Sequence, residues 1–119
     1  MSMTNVLFIL NDPPYDGGRS YSALRIATLL SRHASYYVRV ILLGAAIGCA
    51  QQSAQDGTAR YDTLPLLRAI FAHGGEVCAC ESCIEDGKVE RESLVGTCRW
   101  CALEELTGWI GQADRLLVF

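Results

Sequence analysis

Residues 6–44, VLFILNDPPYDGGRSYSALRIATLLSRHASYYVRVILLG, carry the pattern that decides the fold. Residues 6–10 are continuously apolar and rich in strand-forming side chains, which is typical of a β-strand buried on both faces. A loop with two prolines and two glycines follows this strand. Ser20 is the predicted N-cap of the next element, a helix that runs to about His33. Residues 36–44 predict the next strand. A strand, a helix and a second strand at this spacing predict a βαβ unit with parallel strands.

The rest of the chain continues the alternation of strands and helices. A short helical segment is predicted at residues 45–51, a mobile loop at residues 51–62, and a helix that begins after Asp62 and ends near His73. EVCAC, residues 76–80, predicts a third strand, and an irregular stretch follows it. A helix is then predicted from Trp100 to Gln112, and RLLVF, residues 115–119, predicts a last buried strand. The pattern predicts a single α/β domain over residues 1–119, with helices on both faces of a mostly parallel sheet.

Composition and charge argue against several classes of function. The 119 residues are 50% apolar and 19% charged, with a net charge of −3. The chain can therefore bury a core unaided, and it has no general attraction for nucleic acid or anionic lipid. The N-terminus lacks the features of a signal peptide, and the longest apolar run, 11 residues from Val40 to Ala50, is too short to span a bilayer. We expect a cytoplasmic protein with no nucleic-acid or membrane partner, whose thiols are mostly reduced rather than paired in structural disulfides.

Reactive side chains follow the predicted strands at the ends where parallel sheets bind ligands. Ligands of open α/β sheets lie beyond the carboxyl ends of the strands. Three such ends can be identified, at residues 11–19, 44–49 and 80–83. If the three strands are neighbours, one rim of the sheet gathers the following side chains: Asn11, Asp12, Tyr15, Arg19, Cys49, Cys80 and Cys83.

Cys80 is the candidate nucleophile of this rim. A thiol at a strand end, beside backbone N–H groups and a cation, can have a lowered pKa and exist partly as the reactive thiolate. Glu81 and the carboxylates after it oppose that charge, and Arg19 is the expected compensating cation. Cys78, inside the third strand, and Cys49, in an apolar run, are expected to be buried and inert.

A metal site is the main alternative for the cysteines. Two C-x-x-C pairs are separated by 14 residues, which is just short of the usual spacing in a four-cysteine zinc site. The ligands in a non-catalytic zinc protein would be Cys80, Cys83, Cys98 and Cys101. A zinc ribbon usually organises a chain with little core, whereas this α/β pattern needs no metal. Spacing alone does not decide between a nucleophile that needs no cofactor, a structural zinc site and a thiol–disulfide redox pair.

Three segments together resemble the DsrE/DsrF-like family of small sulfur-relay proteins. VLFILNDPPYDGGRSYSALRIA, HGGEVCACESCIEDG and LTGWIGQADRLLVF come in the family's order and span nearly the whole chain. The resemblance implies a flavodoxin-like three-layer α/β/α sandwich of about five strands, assembled as a homotrimer or homohexamer. It also implies cytoplasmic sulfur trafficking, in which Cys80 matches the cysteine that accepts a sulfane sulfur as a persulfide. Cys83 matches the second cysteine of the family's C-x-x-C, whereas IEDGK after it and the pair Cys98 and Cys101 depart from the family's pattern.

The leading hypothesis is a sulfur carrier or transferase. Cys80 would accept sulfur from a donor protein, and Cys83 would release it toward an acceptor protein by attacking the persulfide. The loop after the first strand would shape the pocket through Asn11, Asp12, Tyr15 and Arg19.

The apolar content also predicts an assembly. A domain of this size leaves roughly 35 to 40% of its unfolded-chain surface exposed, so part of its apolar surface should face a partner. Another copy of the chain related by closed symmetry is the simplest partner. The contact is expected near Trp109 or near the segment after Gly44.

Overall fold

The computed structural model of the chain describes residues 3–15, 18–52, 62–87 and 89–119. Its elements are, in chain order, strand β1 (Thr4–Leu10), helix α1 (Arg19–Ser31), strand β2 (Tyr36–Leu42), a 3₁₀ segment (Gly44–Ala50), helix α2 (Leu64–Ala72), strand β3 (Glu76–Cys80), helix α3 (Glu81–Asp86), a second 3₁₀ segment (Arg91–Ser93), strand β4 (Arg99–Cys101), helix α4 (Leu103–Gln112) and strand β5 (Arg115–Val118). Residues 53–61 of the predicted mobile loop lie outside the described ranges.

The sheet is parallel throughout, with the strand order β4-β3-β2-β1-β5. β1 and β2 pair along their whole length, from Thr4 opposite Tyr36 to Leu10 opposite Leu42. The carboxyl ends of β1, β2 and β3 therefore lie side by side, as the strand-end argument requires. The prediction of a three-layer α/β/α sandwich is confirmed.

Two hydrophobic cores lie on opposite faces of the sheet. On one face, α1 and α2 cover Phe8 of β1 and its same-face neighbours. On the other face, α4 covers Leu7 of β1 with Leu106 and Trp109. Successive strand residues point to opposite faces, so a strand covered on both sides must be apolar throughout. Phe8 is fully buried, and replacing it by alanine would cost about 3–5 kcal/mol of stability.

The stretch between β3 and α4 differs from its prediction. It was expected to be irregular, but it forms α3, a 3₁₀ segment and β4. Trp100 was expected to begin the last helix, yet it lies in β4, and α4 begins at Leu103. These predictions were wrong because a three-residue strand and a six-residue helix are too short to show a hydrophobic period.

β5 also differs from its prediction of a buried strand. It lies at the edge of the sheet and pairs only with β1 among the described strands. Leu116, Leu117 and Val118 are 48%, 38% and 62% exposed. An apolar run alone cannot tell a central strand from an edge strand, because both have the same local sequence.

The predicted helix ends were partly correct. α1 begins at Arg19 after Gly18, which has a φ of 72°, and Ser20 does not act as its N-cap. The Ser20 hydroxyl instead donates to the carbonyl of Asp12 at 2.7 Å and ties the loop after β1 to the helix. α2 begins close to Asp62, as predicted, and the Leu64 N–H donates to Asp62 Oδ1 at 3.2 Å.

In the part of the chain that the structure describes, the helices are too short or too polar to cross a bilayer.

Candidate functional site

A pocket of about 650 Å³ opens at the carboxyl ends of β1, β2 and β3. Its wall has three parts, one from the segment after each of these strands: Pro13, Pro14 and Tyr15; then Gly44, Ala45, Ile47, Gly48 and Gln51; then Cys83, Asp86, Gly87 and Val89. Most of these side chains are apolar or small, and few polar groups point inward. The pocket is large enough to receive a small molecule or a side chain of a partner protein.

Cys80 is not part of the pocket wall and lies at the junction of β3 and α3. It is the last residue of the strand, and its extended backbone (φ −65°, ψ 121°) directly precedes the helix. Its side chain points to the α4 face of the sheet and is 1% exposed. The Cys80 Sγ lies 3.3 Å from Ser82 Oγ. Cys83 is half-buried and forms part of the pocket wall, so it is the more accessible thiol of the pair.

The surroundings of Cys80 favour its thiolate form. Burial acts to raise the pKa of Cys80, but hydrogen bonds from the Ser82 hydroxyl, the Cys83 thiol and the backbone N–H groups of both residues outweigh it and lower the pKa. The pKa of Cys83 is raised by burial, by its hydrogen bond to Cys80 and by the negative charges of Cys80 and Asp86. Cys80 therefore ionises first, and the protonated Cys83 donates to it.

Arg91 neutralises the carboxylates beside Cys80. Its Nη2 lies 3.1 Å from Glu81 Oε1 and 3.6 Å from Glu85 Oε1. Its Cζ lies 4.2 Å from the centroid of the Trp100 ring, which supports the guanidinium from one side. The pairing places a positive charge against both carboxylates and offsets their negative charge at the end of β3.

Arg19 does not provide the compensating charge that was expected of it. Its Nε pairs with Asp12 Oδ2 at 2.7 Å, and its side chain is 74% exposed. The expectation was wrong because Arg19 has a carboxylate closer to it, in its own loop, than the thiolate at the end of β3.

The loop after β1 contributes less to the pocket than was expected. Tyr15 lines the pocket wall. Asp12 is paired with Arg19, and Asn11 donates from Nδ2 to the carbonyl of Phe119 at 3.0 Å. Asn11, Asp12 and Arg19 therefore hold the loop and the end of β5 in place and do not form the wall.

The remaining cysteines fall on both faces of the sheet. Cys78 was expected to be an inert thiol, but it is joined to Cys101 by a disulfide between β3 and β4. The sequence could not indicate this pairing, because it depends on β4, which was not predicted. Cys49 and Cys98 are buried in the core on the opposite face, where burial raises both pKa values to about 12.

The proposed zinc ligands are not brought together. Cys101 is bonded to Cys78, and Cys98 lies in the core on the other side of the sheet from Cys80. Within the described ranges, the side chains close enough to share a metal ion are Cys78, Cys101 and Glu105, whose ligand atoms lie within 4.8 Å of one another. The four-cysteine set inferred from spacing is therefore not a preformed site.

Two contributors to the site were missed by the sequence analysis. Ser82 had a usable signal, since a hydroxyl two residues after a strand-end cysteine can reach the cysteine if a helix begins there. Arg91 had none, because its approach to Glu81 depends on the fold of the short elements between β3 and β4.

A family model described as DsrE/DsrF-like matches residues 4–119. The chain belongs to the DsrE/DsrF-like family. This family is commonly linked to sulfur relay.

This DsrE/DsrF-like protein is similar to two uncharacterized proteins from other organisms. It is 26% identical to the uncharacterized protein MK0008 of Methanopyrus kandleri, over 96% of this chain and 93% of the relative. It is 25% identical to the uncharacterized protein MJ0989 of Methanocaldococcus jannaschii, over 93% of this chain and 96% of the relative.

Solved structures show the same fold. The ychN protein from E. coli superposes with a TM-score of 0.87 at 23% identity, covering 98% of this chain and 100% of that chain. MTH1491 from Methanobacterium thermoautotrophicum superposes with a TM-score of 0.74 at 11% identity, covering 98% and 99%. At these identities the likeness shows the fold alone.

Proposed function

We propose that this DsrE/DsrF-like protein is a cytoplasmic sulfur carrier or transferase that accepts a sulfane sulfur as a persulfide on Cys80. The observation that carries the proposal is the placement of the two thiols: Cys80 ends β3 with Ser82 Oγ 3.3 Å from its Sγ, and Cys83 lies on the pocket wall. The family's common link to sulfur relay supports the same chemistry. Donor and acceptor are proteins that present a cysteine to the pocket.

Loading is a thiolate attack on a donor persulfide. Cys80 Sγ attacks the outer sulfur of the donor; the new S–S bond forms, the donor's own S–S bond breaks, and the donor leaves as a thiolate. Cys80 is 1% exposed, so the sulfur enters through the pocket and passes Cys83.

Release uses the second thiol. Cys83, once deprotonated, attacks Cys80 Sγ; a Cys80–Cys83 disulfide forms, the bond to the sulfane sulfur breaks, and hydrosulfide leaves for the acceptor. The raised pKa of Cys83 keeps this thiol protonated in the resting pair, which limits premature attack.

Mass spectrometry after incubation with a persulfide donor tests the assignment. The wild type should gain one sulfur atom, and Cys80→Ser should gain none. Cys83→Ser should hold the sulfur longer, because release is blocked. Cys98→Ser is the matched control, since this thiol is buried on the other face of the sheet, and it should behave as the wild type does. An undiminished sulfur gain in Cys80→Ser would refute the proposal.

The mechanism requires no metal or other cofactor. Elemental analysis of protein purified without chelators should therefore find no stoichiometric zinc. One tightly bound zinc per chain that disappears in Cys98→Ser would contradict this expectation and favour a structural metal site.

We also propose that the protein forms a homotrimer or homohexamer. Trp109 is buried beneath α4 and does not offer a contact surface. Exposed apolar side chains lie instead on the outer face of α1, where Ile26 and Leu29 are 44% and 55% exposed, and along β5, where Val118 is 62% exposed. Sedimentation at micromolar concentration should show a closed oligomer that Leu29→Glu or Val118→Glu weakens. A monomeric wild type would refute the assembly.

A further inference from the structure

Four cysteines from neighbouring elements form one cluster on the α4 side of the sheet, which we call the cysteine cluster: Cys78, Cys80, Cys83 and Cys101. Cys78 and Cys80 lie on β3 with their side chains on this face, and Cys101 lies opposite Cys80 in the register of β3 and β4. Cys83 packs against the group from α3. Cys78 and Cys101 form a disulfide, while Cys80 and Cys83 are free thiols. The cysteine cluster thus holds a disulfide and a dithiol side by side.

Access to the cysteine cluster from solvent is limited to one member. Cys78 and Cys101 are 0% and 1% exposed, and they share their core with Leu106 and Trp109 of α4. Cys80 is equally buried, whereas Cys83 lines the pocket. A reductant in solution can reach the buried disulfide directly only when α4 or β4 opens. Electrons from the reductant can also reach the disulfide by thiol–disulfide exchange through Cys83 and Cys80, without any opening of the sheet.

We propose that Cys83 and Cys80 are the entrance of an internal thiol–disulfide relay that passes two electrons between an external dithiol and the buried Cys78–Cys101 pair. The relay includes Cys101 but not Cys98, which is buried in the core on the other face of the sheet.

Each step of the relay is an ordinary exchange between a thiolate and a disulfide. Cys80 Sγ attacks Cys101 Sγ; the Cys80–Cys101 bond forms, the Cys78–Cys101 bond breaks, and Cys78 leaves as a thiolate that takes up a proton. Cys83 then loses its proton and attacks Cys80; the Cys80–Cys83 bond forms, and Cys101 leaves as a thiolate and is protonated from water. The external dithiol finally reduces the Cys80–Cys83 disulfide at the pocket and becomes a disulfide itself. The net change is one buried disulfide reduced and one external dithiol oxidised.

The order of attack follows from the ionisation of the thiols. Cys80 is the cysteine whose pKa is lowered, so it supplies the thiolate that the first exchange needs. Its position opposite Cys101 places it nearer to that sulfur's strand than Cys83, which belongs to α3.

The relay has a consequence for sulfur release, and this consequence rests on the proposed function. Each release leaves a Cys80–Cys83 disulfide, which the reduced Cys78–Cys101 pair can reduce from inside by the reverse sequence. A fully reduced chain should therefore release hydrosulfide twice before it needs an external reductant, whereas Cys78→Ser should release it once.

The relay itself is tested without any persulfide. Folded protein that carries the Cys78–Cys101 disulfide is treated with dithiothreitol, quenched with acid, alkylated in denaturant and mapped by peptide mass spectrometry. Cys80→Ser should lose the buried disulfide at least about tenfold more slowly than the wild type, because only local opening then exposes it. Cys98→Ser should match the wild type.

A second measurement does not depend on the stability of Cys80→Ser. In reduced Cys78→Ser/Cys83→Ser, a small-molecule disulfide should react with Cys80, and Cys101 should then displace the small thiol to give a Cys80–Cys101 crosslink. This crosslink is the trapped intermediate of the relay, because neither of the two thiols that would resolve it remains. Reduction of the buried disulfide at the wild-type rate in a Cys80→Ser protein of unchanged unfolding midpoint would overturn the proposal, and so would absence of the crosslink. Because sulfur loading is measured in neither experiment, the relay and the sulfur-carrier proposal can fail separately.

Discussion

Replacing Ser82 by alanine tests what holds Cys80 in its thiolate form. The Ser82 hydroxyl lies 3.3 Å from Cys80 Sγ and donates to the thiolate. A hydrogen bond to a charged group contributes about 1.5–3 kcal/mol, and we take about 1 kcal/mol because the serine is exposed and water can partly replace it. This loss lowers the thiolate fraction about fivefold at any pH below the pKa of Cys80.

The rate of thiol–disulfide exchange should change less than the thiolate fraction, and its sign should depend on pH. A thiolate of higher pKa is intrinsically more nucleophilic, with a Brønsted coefficient of about 0.4–0.5, so the net loss of rate is about two- to threefold below the pKa. Above the pKa both proteins are fully ionised, and the variant should be about twofold faster. The two pH–rate curves should therefore cross.

The assay measures the reaction of a small-molecule disulfide with the folded protein across the pH range. A Cys83→Ser background leaves Cys80 as the reactive thiol, because Cys49 and Cys98 are buried with pKa values of about 12 and the other two cysteines are bonded. Ser22→Ala, at an exposed serine on α1, is the matched control and should leave the curve unchanged. Curves that coincide for Ser82→Ala and its parent would show that the backbone N–H groups alone stabilise the thiolate.

Three further predictions follow from the structure. Gly75→Ala places a Cβ 2.8 Å from a backbone oxygen of β2, so it should lower the free energy of unfolding in urea by about 1–3 kcal/mol. Gly108→Ala, in open space on α4, should raise the free energy of unfolding by about 1 kcal/mol. Equal stabilities of the two variants would contradict this prediction. Burial raises the pKa of Cys98 from its ordinary value of 9.0 to about 12, so the stability that the neutral thiol contributes is present below pH 9.0 and falls by about 1.4 kcal/mol per pH unit from there to about pH 12. Cys98→Ala should flatten this fall in unfolding measurements, and an unchanged slope would count against the burial. Arg91→Gln should shift the pH–rate curve of Cys80 to higher pH in the same exchange assay, because the carboxylates of Glu81 and Glu85 lose their cation. Arg19→Gln should leave the curve unchanged, because Arg19 pairs with Asp12. A larger shift for Arg19→Gln than for Arg91→Gln would show that Arg19 is the compensating cation.

The alternation of β1, β2, β3 and β5 with α1, α2 and α4, the parallel sheet and the strand-end position of the pocket could be predicted from sequence. β1 and β2 are long, continuously apolar strands, and a helix of suitable length lies between them. The burial of such strands can be recognised from sequence, because a strand that is buried on both faces has apolar residues at every position. The placement of Cys80 at a strand end needed nothing more than this alternation.

The chain's own sequence thus determined the α/β class, the rim of the sheet on which Cys80 lies and the C-x-x-C pair of Cys80 and Cys83. Tertiary structure decided the rest: the edge position of β5, the strand β4, the partner of Cys78 and the cation that neutralises Glu81. These features join residues that are far apart in sequence or lie in elements of six residues or fewer. A hydrophobic period needs length to be seen, and a pairing between distant side chains exists only after the sheet has brought their strands together.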